Sequence, residues 1–402
     1  MASLTAVSLQ PKVELPADRG LSDLPLLFDP EWVSAAYDSL AGGEGPSPAG
    51  FRVRQISHTP GRVAVVSYIT QWDSEAYLPA QHFVARAERA KPVEVFQFPN
   101  DRHLPGLPRA ADPETAVELV ASHVMAMRPR ALGVEVIRYR PSNRAVLFHR
   151  AGRARFYARV MRPPALAAFL RSWEVVAQSD FVAPRVAGHW DDGGVVWMSE
   201  IPGKNLRRLI RKRRHSDPAV LLGGLESLWA RPLSGQGQPF NLLGAYRRAK
   251  RSFTYLEADS ASEAMARITR VLDPFVEGWR PSTVAHNDFY DDQLLVLPDG
   301  RAALVDFEEA GPGDPMLDVG NFIAHLRWRS RFGRHKDADA NASYRDEFRS
   351  AAVDRFGWTE RDLDLREGVC LFRTCTNAIR NPKDDWRAKL RAGLALVEET
   401  LG

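Results

Sequence analysis

The sequence is poor in cysteine and has no long apolar segment. Its 402 residues include only two cysteines, Cys370 and Cys375. Two thiols build neither a disulfide framework nor a complete zinc site, so we expect them to be small buried side chains in a reducing compartment. No stretch approaches the ~20 apolar residues that span a bilayer, and residues 1–20 lack a signal-peptide pattern. The sequence therefore predicts a cytoplasmic protein without a membrane segment.

Lysine is also scarce, although the chain is basic. Lys and Arg total 54, yet only eight are Lys, and the net charge is +4. This skew, together with abundant alanine, indicates a GC-rich coding bias rather than selection for phosphate contacts. The one dense basic run, 207–214 (RRLIRKRR), lacks the interleaved aromatic residues of a single-strand platform. We therefore expect no nucleic-acid partner, while the diffuse positive field would attract an anionic nucleotide.

Strand patterns come before helix patterns along the chain. Alternating and β-branched runs predict strands at 52–57, 63–70, 134–139, 145–149, 155–161 and 195–200. Apolar spacing predicts helices at 31–40, 113–127 and 165–177, and through most of the chain after residue 204. One hairpin, 294–297 and 302–305, interrupts the helical part around a Pro-Asp-Gly turn. This order predicts an α+β fold with two lobes.

Carboxylates stand on both sides of that hairpin. Asp288 precedes it and Asp306 ends it, so both can face one cleft because a hairpin brings its ends together. Gln293 adds a neutral carbonyl oxygen, which suits a hard cation. Phosphoryl transfer needs a carboxylate near the attacking hydroxyl and ligands for Mg²⁺, and this pattern supplies both. The adjacent Asp291 and Asp292 are expected to face solvent and to have no role.

The segment 284–326 resembles the aminoglycoside phosphotransferase superfamily, relatives of the protein kinases. Residues 286–293 (HNDFYDDQ) are similar to its His-x-Asp-x-x-x-x-Asn motif, with Gln293 in the Asn position, as in maltokinase-like and some uncharacterised phosphotransferases. Residues 313–320 (GDPMLDVG) resemble its Gly-Asp-Pro-x-x-Asp-Leu-Gly run. The resemblance implies a bilobal protein-kinase-like fold. Its expected parts are an N-terminal cap, a small β-rich N-lobe and a large helical C-lobe, at 1–128, 129–202 and 203–402.

The resemblance also implies ATP, or GTP, with Mg²⁺ as cofactors, and a role for each motif residue. Asp288 would be the catalytic base, and Gln293 and Asp306 would hold Mg²⁺. His286 would support the loop without titrating. Asp318 would brace the same loop from the start of a helix.

The phosphate-binding side departs from the family pattern. Arg159 stands on the third N-lobe strand where the family has a Lys, and a planar guanidinium does not simply replace an ammonium. Three alternatives stay open. Arg159 binds phosphate with Glu174 as its partner, or Arg144 or Arg155 serves instead, or the protein is a nucleotide-binding pseudokinase with a regulatory role.

No Gly-x-Gly-x-x-Gly loop is present to cover a nucleotide. The turn 141–144 is expected to do so, with Asn143 adopting the positive φ that Gly would supply. Glu200 and Ile201, at the end of a predicted strand, are expected to form the hinge between the lobes. Their backbone groups would contact the adenine.

The expected acceptor is a hydroxyl group of a small molecule: a sugar, an aminoglycoside-like antibiotic or a related metabolite. The resemblance places its site between the catalytic loop and late helices that carry Trp328, Arg329, Arg373, Arg380 and Trp386. A polycationic aminoglycoside would favour an acidic cleft, so these mixed or basic helices favour a neutral or anionic acceptor such as a sugar. The sequence carries no signal for an oligomeric state.

Overall fold

The computed structural model describes residues 7–11, 15, 17–42, 46–72, 80–233, 238–254, 259–382 and 385–402. The strands are β1 Ser8–Gln10, β2 Gly50–Thr59, β3 Val63–Gln71, β4 His82–Glu88, β5 Glu94–Gln97, β6 Gly133–Arg140, β7 Arg144–Ala151, β8 Ala154–Met161, β9 Val186–Trp190, β10 Val195–Ser199, β11 Lys204–Asn205, β12 Thr283–Ala285, β13 Leu294–Val296, β14 Ala302–Leu304 and β15 Gly311–Gly313. The helices are α1 Pro30–Leu40, α2 Leu107–Ala111, α3 Pro113–His123, α4 Pro163–Ala177, α5 Leu206–Ile210, α6 Pro218–Trp229, α7 Leu242–Phe253, α8 Asp259–Gly278, α9 Pro315–Phe332, α10 Ala338–Phe356, α11 Glu360–Cys375, α12 Asn377–Arg380 and α13 Trp386–Leu401.

The first sheet lies in the N-terminal region and has the strand order β1-β2-β3-β4-β5. Its long strands alternate buried and partly exposed residues, which presents one apolar face to α1. Tyr37 of α1 packs there against Phe51 and Phe83, with ring centroids 5.6 Å apart in both pairs. This sheet contains the two strands predicted first and also β4, which the sequence patterns missed.

The second sheet, β6-β7-β8-β10-β9, contains the predicted three-stranded meander. Helices α2 and α3 share a core with one face of it, through buried residues such as Leu107, Val120 and Ala158. Helix α4 lies on the opposite face, where Leu166 and Phe169 join Val196 in a second core. The helix predicted at 113–127 ends earlier, at His123.

The chain after residue 205 is helical apart from two small sheets, β11-β13-β14 and β12-β15. The hairpin of β13 and β14 is the one that the sequence predicted. Both cysteines are free and buried, as expected. The β-rich N-terminal region and helical C-terminal region confirm the α+β prediction. The predicted domain boundaries at 128/129 and 202/203 fall between α3 and β6 and between β10 and β11. We retain these boundaries as a proposal.

The sequence predicts no membrane-spanning segment. Among the helices in the described ranges, none combines the length and apolarity that crossing a bilayer demands.

Candidate active site

The loop that follows β12 is fixed by Asp318, in the first turn of α9. The Asp318 carboxylate accepts hydrogen bonds from the backbone amides of His286 (2.8 Å) and Asn287 (2.7 Å), and from the indole of Trp229 (3.0 Å). Burial raises the pKa of Asp318 to about 7, although these three donors favour its charged form. The predicted bracing role of Asp318 is confirmed by these contacts.

Asn287 gives this loop its sharp turn. Its φ is +64°, a left-handed conformation that asparagine tolerates better than most residues. Its side-chain amide donates to the backbone oxygens of Glu309 (2.9 Å) and Gly311 (3.3 Å). A Cβ at Gly313 would lie 2.0 Å from the Asn287 Oδ1, so only glycine fits beside this turn.

His286 ties the two ends of the hairpin together. Its Nε2 lies 2.6 Å from the backbone oxygen of Asp306, and its Nδ1 accepts from the backbone amide of Asp288 at 3.3 Å. Burial lowers the pKa of His286 to about 4, so the ring is neutral at pH 7 and its Nε2–H donates. His286 therefore acts as a structural support, in agreement with the prediction that it does not titrate.

Asp288, Gln293 and Asp306 come together at the end of this hairpin. The Gln293 amide donates from Nε2 to Asp288 Oδ2 at 3.0 Å, and its buried Oε1 has no partner within the described residues. Burial raises the pKa of Asp288 to about 7 against the opposing charge of Arg373, and the nearby Asp306 carboxylate adds to the rise. The arrangement contains one carboxyl with a pKa near 7, one carbonyl oxygen without a partner in the described residues, and a second carboxylate whose charge acts on the first.

Two arginines of the second sheet reach the same centre. Arg144 donates from Nη2 to Asp306 Oδ2 (3.2 Å) and from Nη1 to Glu308 Oε2 (2.5 Å). Arg159 also contacts both carboxylates, with 3.4 Å from Nη2 to Asp306 Oδ1. Burial would raise the pKa of Asp306, but the guanidiniums of Arg159 and Arg144 hold it below its ordinary value. Of the predicted alternatives for the basic group, Arg155 instead pairs with Glu200 at 3.2 Å.

The predicted pair of Arg159 and Glu174 is wrong. In β8 the neighbours Ala158 and Val160 join the core under α2 and α3, so alternation directs Arg159 to the other face, towards α4. There its guanidinium carbon lies 5.1 Å from the ring centroid of Phe169. Glu174 is directed away from this site, because at 100° per residue it stands on a different side of α4 from the buried face.

The turn expected to cover a nucleotide is present, but its special residue is Ser142 rather than Asn143. Ser142 has φ +60°, whereas Asn143 is not among the residues with positive φ. Asp101, from the N-terminal region, accepts from the Ser142 amide (2.7 Å) and from the Tyr139 hydroxyl (2.8 Å). Arg162 donates to the Ser142 oxygen at 2.8 Å. The turn is therefore anchored on both sides by residues that local sequence patterns did not identify.

We expect Asp101→Ala to lower the free energy of unfolding by about 1–3 kcal/mol, because it leaves a buried amide and a buried hydroxyl without their acceptor. Asp101 is 1% exposed, so water does not replace the carboxylate easily. Urea unfolding of the wild type and the variant measures the difference. Asp112→Ala serves as a contrast, since Asp112 is an exposed helix cap that accepts from Thr115. Equal stability of Asp101→Ala and the wild type would contradict the anchoring role.

Glu200 and Ile201 lie between β10 and β11, where the second sheet passes into the helical region. Both are partly buried. The structure thus places them where a hinge was expected, directly after the strand that ends at Ser199.

The expectation for Asp291 is wrong, since it is fully buried rather than exposed. The 3₁₀ turn Asp291–Gln293 directs its carboxylate inward to Arg329 of α9, which also pairs with Asp292 at 3.1 Å. Arg207 reaches Asp292 from α5 at 2.7 Å. These ion pairs fix the segment that carries Gln293.

A cleft of about 860 Å³ opens in front of Asp288. Tyr290, Asn321 and His325 line it beside Asp288, and the rings of Tyr290 and His325 stack with centroids 4.2 Å apart. We call its seven arginines the arginine cluster: Arg62 and Arg89 from the first sheet, Arg140 from the second, and Arg248, Arg251, Arg373 and Arg380 from the helices. Of the late residues singled out in the sequence, only Arg373 and Arg380 line this cleft, while Trp328 and Trp386 pack in the helical core.

Comparisons with known proteins concern the family and the fold of this chain. The sequence model of a family described as "Phosphotransferase enzyme family" matches residues 134–362, more than half of the chain. No curated protein matches it. A choline/ethanolamine kinase family protein from Mesorhizobium loti is 17% identical, with a TM-score of 0.51 over 72% of this chain and 94% of that one.

Two further solved structures are similar. A choline kinase from Cryptosporidium parvum is 10% identical, with a TM-score of 0.52 over 71% of this chain and 94% of that one. A thermostable mutant of the aminoglycoside phosphotransferase APH(4)-Ia, in a ternary complex with ADP and hygromycin B, is 16% identical, with a TM-score of 0.51 over 72% and 98%. At these identities the likeness concerns the fold, and it confirms the predicted protein-kinase-like architecture.

Proposed function

The chain belongs to the phosphotransferase enzyme family, and we propose that it transfers the γ-phosphoryl group of ATP, or GTP, to a hydroxyl group of a small molecule. The observation that carries this proposal is the grouping of Asp288, Gln293 and Asp306 at one end of the hairpin, where Asp288 lines the cleft. Phosphoryl transfer depends on positioning and electrostatic stabilisation more than on covalent chemistry. A constellation of this kind supplies both.

Asp288 is the proposed catalytic base. Its carboxylate lines the cleft and accepts from Gln293, which leaves its other oxygen available to an acceptor hydroxyl. A base works best when its pKa lies near the operating pH, and the pKa of Asp288 is about 7. The braced loop of His286 and Asn287 holds this carboxylate in place.

Gln293 and Asp306 are the proposed Mg²⁺ ligands. The buried Gln293 Oε1 has no partner in the described part of the chain, as expected for an oxygen whose partner is a cation. Mg²⁺ is typically held by one or two protein groups together with substrate phosphates, which fits this small donor set. When bound, the ion would neutralise negative charge on the phosphates.

Arg144 and Arg159 are the proposed phosphate-binding groups. Both guanidiniums now contact Asp306 and Glu308, and a planar fork binds phosphate in the same bidentate way as carboxylate. Nucleotide phosphates would take over these donors and free Asp306 for the metal. The turn around Ser142 and Asn143 would cover the phosphates, and the backbone of Glu200 and Ile201 would contact the base.

The alternative is a nucleotide-binding pseudokinase. The engagement of Asp306 by two arginines favours it, because a carboxylate that stays paired does not bind Mg²⁺. In either case we retain a cytoplasmic location as a prediction.

The proposed function predicts that ATP with Mg²⁺ raises the melting temperature, since a ligand at 100 times its Kd adds about 2.7 kcal/mol of stability. ADP release in a screen of hydroxyl compounds then distinguishes the two candidates. Stabilisation with turnover supports the kinase, and stabilisation without turnover by any compound supports the pseudokinase. No stabilisation by ATP or GTP would contradict both.

A further inference from the structure

The acceptor side of the cleft is strongly positive, and this charge indicates what kind of acceptor the cleft binds. The inference rests on the proposed function. Of the described residues that line the cleft, Asp288 alone is a carboxylate, against the seven members of the arginine cluster. A cleft with walls of one charge concentrates ligands of the opposite charge. This imbalance lies in the cleft through which an acceptor would reach Asp288.

The charges of the arginine cluster are not neutralised by carboxylates within salt-bridge distance. Across the described ranges, none of the seven forms a salt bridge. On α11, Arg366 pairs with Asp314 at 3.1 Å, whereas Arg373, two turns later, turns into the cleft. Within the described residues, the positive charge of the cleft wall is therefore not balanced by salt bridges.

Charge repulsion acts on two members of the cluster, on Arg380 from Arg248 within the cluster and on Arg140 from arginines beside it. Burial and the neighbouring Arg144 and Arg138 lower the pKa of Arg140 to about 10. Burial and Arg248 lower the pKa of Arg380. Such mutual repulsion opposes the fold, and an anion among these side chains would relieve it.

The first sheet contributes to the cleft through an anchored turn. Arg62 stands in the turn between β2 and β3, whose Gly61 amide donates to Asp18 at 2.8 Å. Asp18 also contacts the buried His58 at 2.7 Å. Arg89 is joined to this turn through its backbone amide, 2.9 Å from the Arg62 oxygen. The backbone that carries these two arginines is thus anchored, and both line the cleft together with residues of α7 and α12.

We propose that the acceptor is an anionic hydroxyl compound: besides the hydroxyl that approaches Asp288, it carries a carboxylate or phosphate group that the arginine cluster binds. Guanidinium forks bind both anions bidentately. In the transfer, the hydroxyl oxygen forms the new P–O bond, its proton passes to Asp288, and the bond from the γ-phosphorus to the bridging oxygen breaks to leave ADP. A polycationic aminoglycoside would meet like charges in this cleft.

The test uses four probes of one sugar framework: glucose, glucosamine, glucuronate and glucose 6-phosphate. ADP release is measured with ATP and Mg²⁺, and thermal shifts are measured with the nucleotide site saturated by ADP and Mg²⁺. The variants are Arg248→Gln and Arg62→Gln. Arg247→Gln is the matched control, because Arg247 is the exposed neighbour on α7 that does not line the cleft.

We expect glucuronate or glucose 6-phosphate to stabilise the ADP-bound protein more than glucose does, and to release ADP where the hydroxyl is suitably placed. Arg248→Gln should weaken the binding of the anion roughly 10- to 100-fold, the range for a charged hydrogen bond. Arg247→Gln should leave the affinity for the anion unchanged. A response to only one of the two anions identifies the charged group.

Two outcomes would overturn the proposal: a preference for glucose or glucosamine, or anion binding that Arg248→Gln and Arg62→Gln leave intact. An equal response to all four probes counts against it as well. ADP release with glucosamine would refute the anionic acceptor while the phosphotransferase function stands. A lack of any nucleotide effect would instead refute that function.

Discussion

Replacing Asp288 with asparagine is expected to lower kcat by about 10²–10⁴-fold, the usual contribution of a positioned general base. The amide keeps the size of the side chain but accepts no proton. The loop should remain folded, because it is held by Asp318 and His286 rather than by Asp288. ADP release measures turnover, and the thermal shift with ATP and Mg²⁺ measures nucleotide binding, which should persist.

Asp299→Asn provides the matched control for this loss. Asp299 lies at the exposed tip of the same hairpin, where it pairs with Arg301 at 2.8 Å. Removing that charge should leave kcat within about twofold, since surface ion pairs contribute little. If Asp288→Asn retains wild-type turnover, Asp288 is not the base.

The same assignment predicts how activity depends on pH. A carboxyl acts as a base only when it is deprotonated, and the pKa of Asp288 is about 7. The value of kcat/KM, which reports the free enzyme, should therefore rise tenfold per pH unit below 7 and level off above it. Asp288→Asn should remove this slope from its residual activity.

The features of the site that depend on residues close together in the sequence could be predicted. The segment from His286 to Asp306 forms a loop and a hairpin that bring its ends together, and the pattern of Asp288, Gln293 and Asp306 could be identified without tertiary information. The role of Asp318 followed from the resemblance of residues 313–320 to the family motif, and the residue lies in the first turn of α9.

The errors concern contacts between distant segments. Whether Arg159 pairs with Glu174 depends on which side of α4 faces the second sheet. That helix presents Phe169 and Ser172 to the site instead. Ser172 donates to the Ala310 oxygen at 3.0 Å. Arg159 forms its salt bridges with Asp306 and Glu308 instead. Several helices separate these residues from Arg159 in the sequence. No local pattern encodes such a separation.

The conformation of the turn 141–144 likewise depends on contacts between distant segments. Asparagine is the usual choice for positive φ, which led to Asn143, but the register of β6 and β7 places Ser142 in that conformation. Its anchor, Asp101, comes from a loop that precedes the second sheet and both helices packed on it. The inward direction of Asp291 depended in turn on Arg329 of α9, which periodicity alone does not reveal.

Asp306→Asn should decrease turnover about 100-fold or more, because a metal ion contributes several kcal/mol to phosphoryl transfer and each 1.36 kcal/mol is about a tenfold change in rate. The neutral amide would hold Mg²⁺ more weakly, so the Mg²⁺ concentration for half-maximal ADP release should also rise. Arg144 and Arg159 would keep Glu308 as a partner, which should preserve the fold.

The Mg²⁺ titration distinguishes a lost metal ligand from a general loss of negative charge. Glu309→Gln removes a charge that acts on Asp288 from an exposed side chain without a hydrogen bond or salt bridge to the described residues, and should leave the titration unchanged. If Asp306→Asn lowers kcat without shifting the Mg²⁺ requirement, Asp306 acts through the arginines instead. In that case its role is to orient Arg144 and Arg159 towards the phosphates, and Gln293 is the remaining protein ligand for the metal.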